Sequence, residues 1–218
     1  MRLLITAGPT CVPIDSVRVI TNLASGKTGL AIASLAAVRG HQVTLLTSQV
    51  TDNGLPVSKG VIRTFSTPDN LGTLLAESIR SDSPDAIIHS AAVSDFTVGK
   101  ILDSQGRPVD SPKLDSANAP LHLELLRSPK LIDKIRRDWG FSGLLVGFKL
   151  ESGLDTPALI QEAETTRKRT GADLMVANHH HSAGVEAFIG PGTDNGYQRV
   201  ERPRLPEALL TLLEGRIR

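Results

Sequence analysis

Ser25, Gly26, Lys27, Thr28 and Gly29 crowd into the stretch ITNLASGKTG (20–29), immediately before an Ala-rich apolar run. A hydroxyl, small flexible residues and a lysine at the start of a helix are the parts from which phosphate-binding loops are made. A Walker A loop also needs a glycine separated by four residues from its Gly-Lys-Thr, so that backbone amides wrap the β-phosphate. That place is held by Thr21, and about twenty residues separate Ala7, the end of the first apolar run, from Lys27. Gly26-x-x-Gly29 is likewise only a fragment of the G-x-G-x-x-G dinucleotide fingerprint. What remains is a Ser-Gly-Lys turn whose free amides and positive helix end suit an anion. The same letters also fit a plain N-cap at Ser25 and a Gly29 that lets the helix pack close to a sheet. The residues alone leave these two readings level.

The elements that position this turn follow from hydrophobic periodicity. RLLITA (2–7) is a short apolar run stopped by Gly8-Pro9, which predicts a buried strand and a loop. A helix is expected from Ser25 to a stop at Gly40, then strands over HQVTLLTS (41–48) and VIRTFST (61–67). Pro68-Asp69 opens a helix through about Arg80, and AIIHSAA (86–92) is another buried strand. After the segment LHLELL (121–126) come a helix over 128–139 and a strand over GLLVGFKLE (143–151). A helix from Thr156 to about Thr170 leads to the strand DLMVANH (173–179). A weaker pair, EAFIG (186–190) and YQRVER (197–202), precedes a terminal helix from Leu205. Strands alternating with helices, several of them apolar on both faces, predict an α/β, Rossmann-like three-layer sandwich with a mainly parallel sheet. Ligands in such folds sit beyond the carboxyl ends of the strands. That rule puts Gly8, Ala91 to Asp95, Phe148 to Glu151 and Asn178 on one rim. Residues 96–119 read as a long flap loop of Gly, Pro, Ser, Asp and Asn with almost no apolar face.

Length and composition narrow the function classes. A chain of 218 residues fits one domain, 1–218, better than two. With 24 Lys plus Arg against 23 Asp plus Glu, nothing electrostatic favours nucleic acid or a membrane surface. One Trp, one Tyr and five Phe leave little material for stacking exposed bases. The longest uncharged apolar stretch, TGLAIASLAAV, is far short of the ~18–20 residues that span a bilayer. Cys11 is alone, so no internal disulfide forms, and with no signal-peptide pattern the expected compartment is the cytoplasm. The His179–His181 run reads as a polar turn rather than a metal site, because adjacent side chains on a strand alternate faces and no Cys or carboxylate cluster lies nearby.

The block ITAGPTCVPIDSVRVITNLASGKTGLAIA (5–33) resembles the phosphopantothenate–cysteine ligase family, in its stand-alone form. The likeness continues in the family's order through SAAVSDF (90–96), SPKLDS (111–116), SPKLIDKI (128–135), GFKLES (147–152) and ADLMVAN (172–178). What this implies is an enzyme of coenzyme A biosynthesis that joins 4′-phosphopantothenate to cysteine. The acid is first activated as an acyl-nucleotide at the expense of CTP or ATP with magnesium, and no flavin is expected. The FKLE wording is closer to ATP-using members than to CTP users. The resemblance also implies a homodimer, each active site lying beside its partner, and residues 96–119 read as too polar to pack within their own subunit.

Site residues carry over from the same blocks. Asn22 matches an Asn that contacts the reacting acyl group, although a lone Asn before a helix is more often an Asx turn or cap. Arg18 matches an Arg on the same loop. Ser25, Gly26, Lys27 and Gly29 become a phosphate site. Ala91 and Ala92 fall where backbone approaches the ligand, with Gly8 on the same rim. Asp95 matches a nucleotide-contacting Asp, which acts through magnesium or a hydroxyl rather than on phosphate oxygens. Pro129, Lys130, Phe148 and Lys149 match nucleotide-contacting segments. Lys113 matches the first Lys of a flap expected to be mobile until a triphosphate orders it, because ordering costs about 1–2 kcal/mol per residue. Two departures stand out: Thr166 and Thr170 replace two family lysines, and His179 replaces an Asp. Arg167, Lys168 and Arg169 are expected to project in other helical directions. The competing readings are a non-catalytic Rossmann-type nucleotide-binding protein and a degenerate homologue that only dimerises.

Overall fold

A computed structural model describes residues 1–48, 60–118, 120–179, 186–192, 194 and 196–217. The first apolar run becomes β1 (Arg2–Ala7), buried from Leu3 onward. A small antiparallel ribbon follows, β2 (Cys11–Pro13) with β3 (Val19–Thr21). Then come α1 (Lys27–Val38), β4 (Gln42–Thr47), β5 (Gly60–Thr64), α2 (Pro68–Asp82) and β6 (Ala86–His89). A second ribbon pairs β7 (Phe96–Leu102) with β8 (His122–Arg127). The rest is α3 (Leu131–Arg137), β9 (Leu144–Glu151), α4 (Thr156–Thr170), β10 (Leu174–His179), β11 (Glu186–Gly190), β12 (Gln198–Glu201) and α5 (Leu205–Arg216).

Eight strands form one sheet in the order β12-β11-β10-β9-β6-β1-β4-β5. From β5 through β10 every pairing is parallel, while β11 and β12 run antiparallel at one edge. The two-residue period of a strand decides which helices each side chain meets. Leu3, Ile5 and Ala7 of β1 pack with Ile32 of α1 and Leu209 of α5. Leu4, Ile87, Leu145 and Met175 pack on the other face with Leu71, Ile135 and Leu159 of α2, α3 and α4. Each such buried aliphatic side chain stabilises by about 1.5–3 kcal/mol relative to exposure. The result is the expected α/β, Rossmann-like three-layer sandwich. Because the chain leaves β1 for β4 on one side and later adds β6 on the other, the order reverses beside β1. A crevice opens there at the carboxyl ends.

Three local readings are corrected. The helix does not start with a Ser25 cap: α1 begins at Lys27, and its N-cap is Gly26 at φ 67° with no capping side chain. The described part of 96–119, residues 96–118, is not a structureless loop. Phe96, Val98, Ile101 and Leu102 alternate well enough to pair with β8, with the register broken between Val98 and Ile101 around Gly99. The segment is also not too polar to pack in its own subunit, for Leu114 is only 5% exposed. Finally, the helix expected over 128–139 is shorter, Leu131–Arg137.

Candidate active site

Two glycines let the opening turn cross the end of β1. Gly8 has φ 93° and Gly26 φ 67°, both in the left-handed region where a side chain is strained. A Cβ on Gly26 would also lie 2.9 Å from the Gly8 nitrogen, so the two backbones touch. Gly29 sits one step further in, where a Cβ would meet Ser90 Oγ at 2.5 Å and Ala7 Cβ at 2.7 Å. Gly29 therefore does let α1 press on the sheet. That close packing also aims the amino end of α1 at the crevice, so both roles foreseen for the turn are compatible.

A cavity of about 360 Å³ lies against this helix end, walled by Leu23 to Gly29, Ser90 to Ala92, Phe148, Asn178, His179 and Arg202. Lys27 is exposed there, and Gly26, the N-cap, has no side chain to give the first turn. The arrangement offers an anion backbone donors, a helix dipole and the cations of Lys27 and Arg202. Asn178 Oδ1 is buried without a hydrogen-bond partner and belongs to the same wall. His180 and His181 lie outside the described residues.

A second cavity, of about 150 Å³, opens on the other face of the sheet. Its walls include His89, Asp95, Lys130, Phe148, Lys149, Thr166 and Arg169. Ala91 and Phe148 belong to both walls, so the two cavities meet across them. Around the second cavity charge is largely paired. Lys130 faces Asp95 at 3.4 Å, Lys149 faces Glu151 at 2.7 Å, and Arg169 binds Asp133. Arg169 thus shares a face with Thr166, contrary to the helical directions expected for it. Thr170, by contrast, is buried and donates its hydroxyl back to the Thr166 carbonyl.

His89 escaped the sequence reading because it sits inside an apolar run. It is 6% exposed and lies beside Thr6, its register partner in the sheet. Burial without a charged partner pulls its pKa down to about 4.

The other expected residues are placed less centrally. Asn22 donates to the Ala92 carbonyl at 3.0 Å, at the edge of the larger cavity. Pro129 is exposed beside Lys130. Arg18 donates to Asp15 at 2.6 Å and to the Leu114 carbonyl at 3.1 Å. Asp15 also accepts from the backbone N–H groups of Val17, Arg18 and Leu114. Withdrawal from water raises the Asp15 carboxyl, but those three N–H groups and the Arg18 guanidinium outweigh it and hold the pKa at about 2. Arg18 therefore ties the segment bearing Lys113 to the β2–β3 turn. Lys113 itself is exposed, and neither cavity wall includes it or Arg18.

Comparison with known proteins decides what this crevice belongs to. Residues 1–191 match the family model of the DNA/pantothenate metabolism flavoprotein C-terminal domain. The chain belongs to that family. The chain is 37% identical over 217 residues to the coenzyme A biosynthesis bifunctional protein CoaBC of Thermococcus kodakarensis, covering 98% of this chain and 51% of that protein. It is 34% identical over 128 residues to phosphopantothenate–cysteine ligase 2 of Oryza sativa subsp. japonica, covering 57% of this chain and 36% of that protein. Among solved structures, the DNA/pantothenate metabolism flavoprotein from Streptococcus pneumoniae is similar at TM-score 0.87 and 27% identity, covering 99% of both chains. The chain spans about half the length of the bifunctional relatives that it matches. The expected family and fold class are thereby borne out. Among the described residues no helix is long and apolar enough to cross a membrane.

Proposed function

We propose that the chain is a single-domain phosphopantothenate–cysteine ligase of coenzyme A biosynthesis, acting in the cytoplasm. Supporting this reading above all is the pair of cavities that meet at Ala91 and Phe148. A nucleotide spans such a pair naturally: its base in the smaller cavity, its phosphates toward Lys27 and the amino end of α1. The phosphopantothenate carboxylate oxygen attacks the α-phosphorus of CTP or ATP, the α–β P–O bond breaks, and pyrophosphate leaves. The cysteine nitrogen then attacks the acyl carbon, a C–N bond replaces the C–O bond to the nucleotide, and the amine gives up a proton as the nucleoside monophosphate departs.

The roles of this chain's residues follow from charge. Lys27, Arg202 and the α1 amides hold phosphate; Asn22 lies within reach of the acyl group; Ala91 and Ala92 keep room for it. Lys113, carried beside the buried anchor Leu114, closes over the nucleotide and helps to exclude water. Magnesium carried on the triphosphate would neutralise part of its charge. Among the described residues no group of three His, Cys, Asp or Glu is placed to hold a metal. Magnesium bound to a nucleotide would need only one or two carboxylates besides phosphate and water; Asp95, on the wall of the cavity given to the base, would reach a hydroxyl of the nucleotide instead.

A homodimer completes the reading. The β7–β8 ribbon exposes Phe96, Leu123, Leu125 and Leu126, each 39–50% accessible. A two-stranded ribbon is marginal alone, and a second copy of the same ribbon would cover Phe96, Leu123 and Leu125, which share one face. Pyrophosphate release that requires phosphopantothenate, measured with CTP and ATP separately, tests the function. A chain that binds nucleotide without such release would be the non-catalytic homologue instead.

A further inference from the structure

Thr6 fixes which nitrogen of His89 carries the hydrogen. Thr6 Oγ1 accepts the Ala91 N–H at 3.0 Å and lies 3.0 Å from His89 Nδ1. A hydroxyl has one proton to give, and Nδ1 is the only described acceptor it meets. Were Nδ1 protonated, two donors would converge on Thr6 and its own hydrogen would be buried unpaired, which buried polar groups avoid. Nδ1 is therefore the acceptor and Nε2 bears the hydrogen. Nε2 has no partner among the described residues. Nor is it sealed from solvent, for the buried unpaired side-chain atoms among those residues are Ser48 Oγ, Ser78 Oγ and Asn178 Oδ1. Since the ring is part of the smaller cavity's wall, its N–H opens onto that cavity.

The remaining wall says what this donor meets. Ala91, Val93, Leu131, Ile132 and Phe148 are apolar, Ser94 gives its hydroxyl hydrogen to the Phe96 carbonyl, Thr166 adds a second hydroxyl, and the charged side chains form pairs. A slot of about 150 Å³ with several apolar side chains and the neutral His89 N–H on its wall suits a flat heteroaromatic ring that carries an acceptor. An anion would go instead to the helix end and the cations of the larger cavity.

We propose that His89 Nε2–H donates to an acceptor atom on the ring of the nucleotide base seated in the smaller cavity, and that Thr6 holds the tautomer that makes this contact. The inference rests on the function proposed above, which seats the base there. It adds a residue that selects for the ring rather than for phosphate. Burial keeps the imidazole neutral near pH 7, so the donor stays in one state. A cavity built around a donor rejects a ring that leaves the donor unpaired.

Calorimetric titration with CTP, ATP and inorganic triphosphate tests this in wild type, His89→Phe and His89→Gln. Phe removes the donor and keeps a flat ring; Gln returns an N–H near the Nε2 position. His89→Phe should weaken the preferred nucleotide about tenfold or more, leave inorganic triphosphate unmoved, and be rescued to within a few-fold by His89→Gln. In the wild-type protein, nitrogen-15 spectra of the histidines should show His89 protonated at Nε2 alone, with that resonance moving when nucleotide is added. The spectra decide the matter even if the Phe variant does not fold. Nucleotide binding with an unmoved Nε2 resonance, or with equal affinity in the Phe variant, overturns this inference alone. A wild-type protein that binds neither nucleotide overturns the functional reading and this inference with it.

Discussion

Arg18 and Leu114 are joined across 96 residues of chain by one hydrogen bond of 3.1 Å, and Asp15 holds both ends of it. The Asp15 side chain is fully enclosed, so its carboxylate acts as the knot of a tether between the β2–β3 turn and the segment that carries Lys113. Asp15→Ala should leave the Leu114 N–H without its acceptor and speed its hydrogen exchange by about tenfold, since 1.4 kcal/mol corresponds to that factor. Amides of Ile5 and Ile88 should keep their protection. Unchanged protection at Leu114 would mean that Arg18 alone holds the segment.

His89 sets a pH dependence of stability. The unfolded chain takes up a proton near pH 6.5, whereas the folded one resists until about pH 4. Between those values the unfolded state binds more protons, so stability falls as the pH is lowered through this window and is unaffected by this group above it. At about 1.4 kcal/mol per pKa unit, the loss is up to roughly 3 kcal/mol. Asp15, held at about 2, contributes stability that is lost only at lower pH, as the pH falls through its folded value. Urea unfolding at pH 7 and pH 5 should show the drop in wild type and a flatter response in His89→Gln. Equal drops in both proteins would assign the effect to other groups.

Asn22 separates folding from function. It is exposed, and its one described side-chain contact is the 3.0 Å bond to the Ala92 carbonyl. Asn22→Ala should therefore unfold almost like wild type, yet lose about 10²–10³ in the rate of adduct formation, as removal of one donor from developing charge does. Near-normal turnover in that variant would reduce Asn22 to an ordinary loop cap.

The ribbon predicts association. Val98 stands opposite Leu125 and Ile101 opposite Leu123 in the β7–β8 register, so a charge placed among them meets apolar neighbours. Leu125→Glu should shift sedimentation from dimer toward monomer at micromolar concentration while the far-ultraviolet spectrum is kept. A wild type that sediments as a monomer would contradict the dimer.

Much of this architecture was legible because the central strands are short, doubly buried apolar runs, as in RLLITA and AIIH. The ribbons were not. β2 and β3 have three residues each and include Pro13, and what holds them is their mutual pairing rather than any local preference. Gly99-Lys100 interrupts β7 where the register shifts, so its alternation was lost among the polar residues that follow. At the site, chemistry-bearing letters in loops were found, but direction was not. Arg169 shares a face with Thr166 as an i,i+3 neighbour does, while its pairing with Asp133 on α3 is a contact that spacing within α4 cannot reveal. Arg18, expected at the site, is bonded to Asp15 and Leu114 by contacts that only the fold supplies. His89 gave one usable signal, a lone imidazole closing a buried strand at the carboxyl rim.

The most direct measurement is pyrophosphate release by the purified chain given 4′-phosphopantothenate, magnesium and either CTP or ATP, with and without cysteine. The account predicts release that needs phosphopantothenate, prefers one nucleotide, and yields phosphopantothenoylcysteine and nucleoside monophosphate once cysteine is present. Nucleotide bound with no pyrophosphate formed under any of these conditions would contradict it.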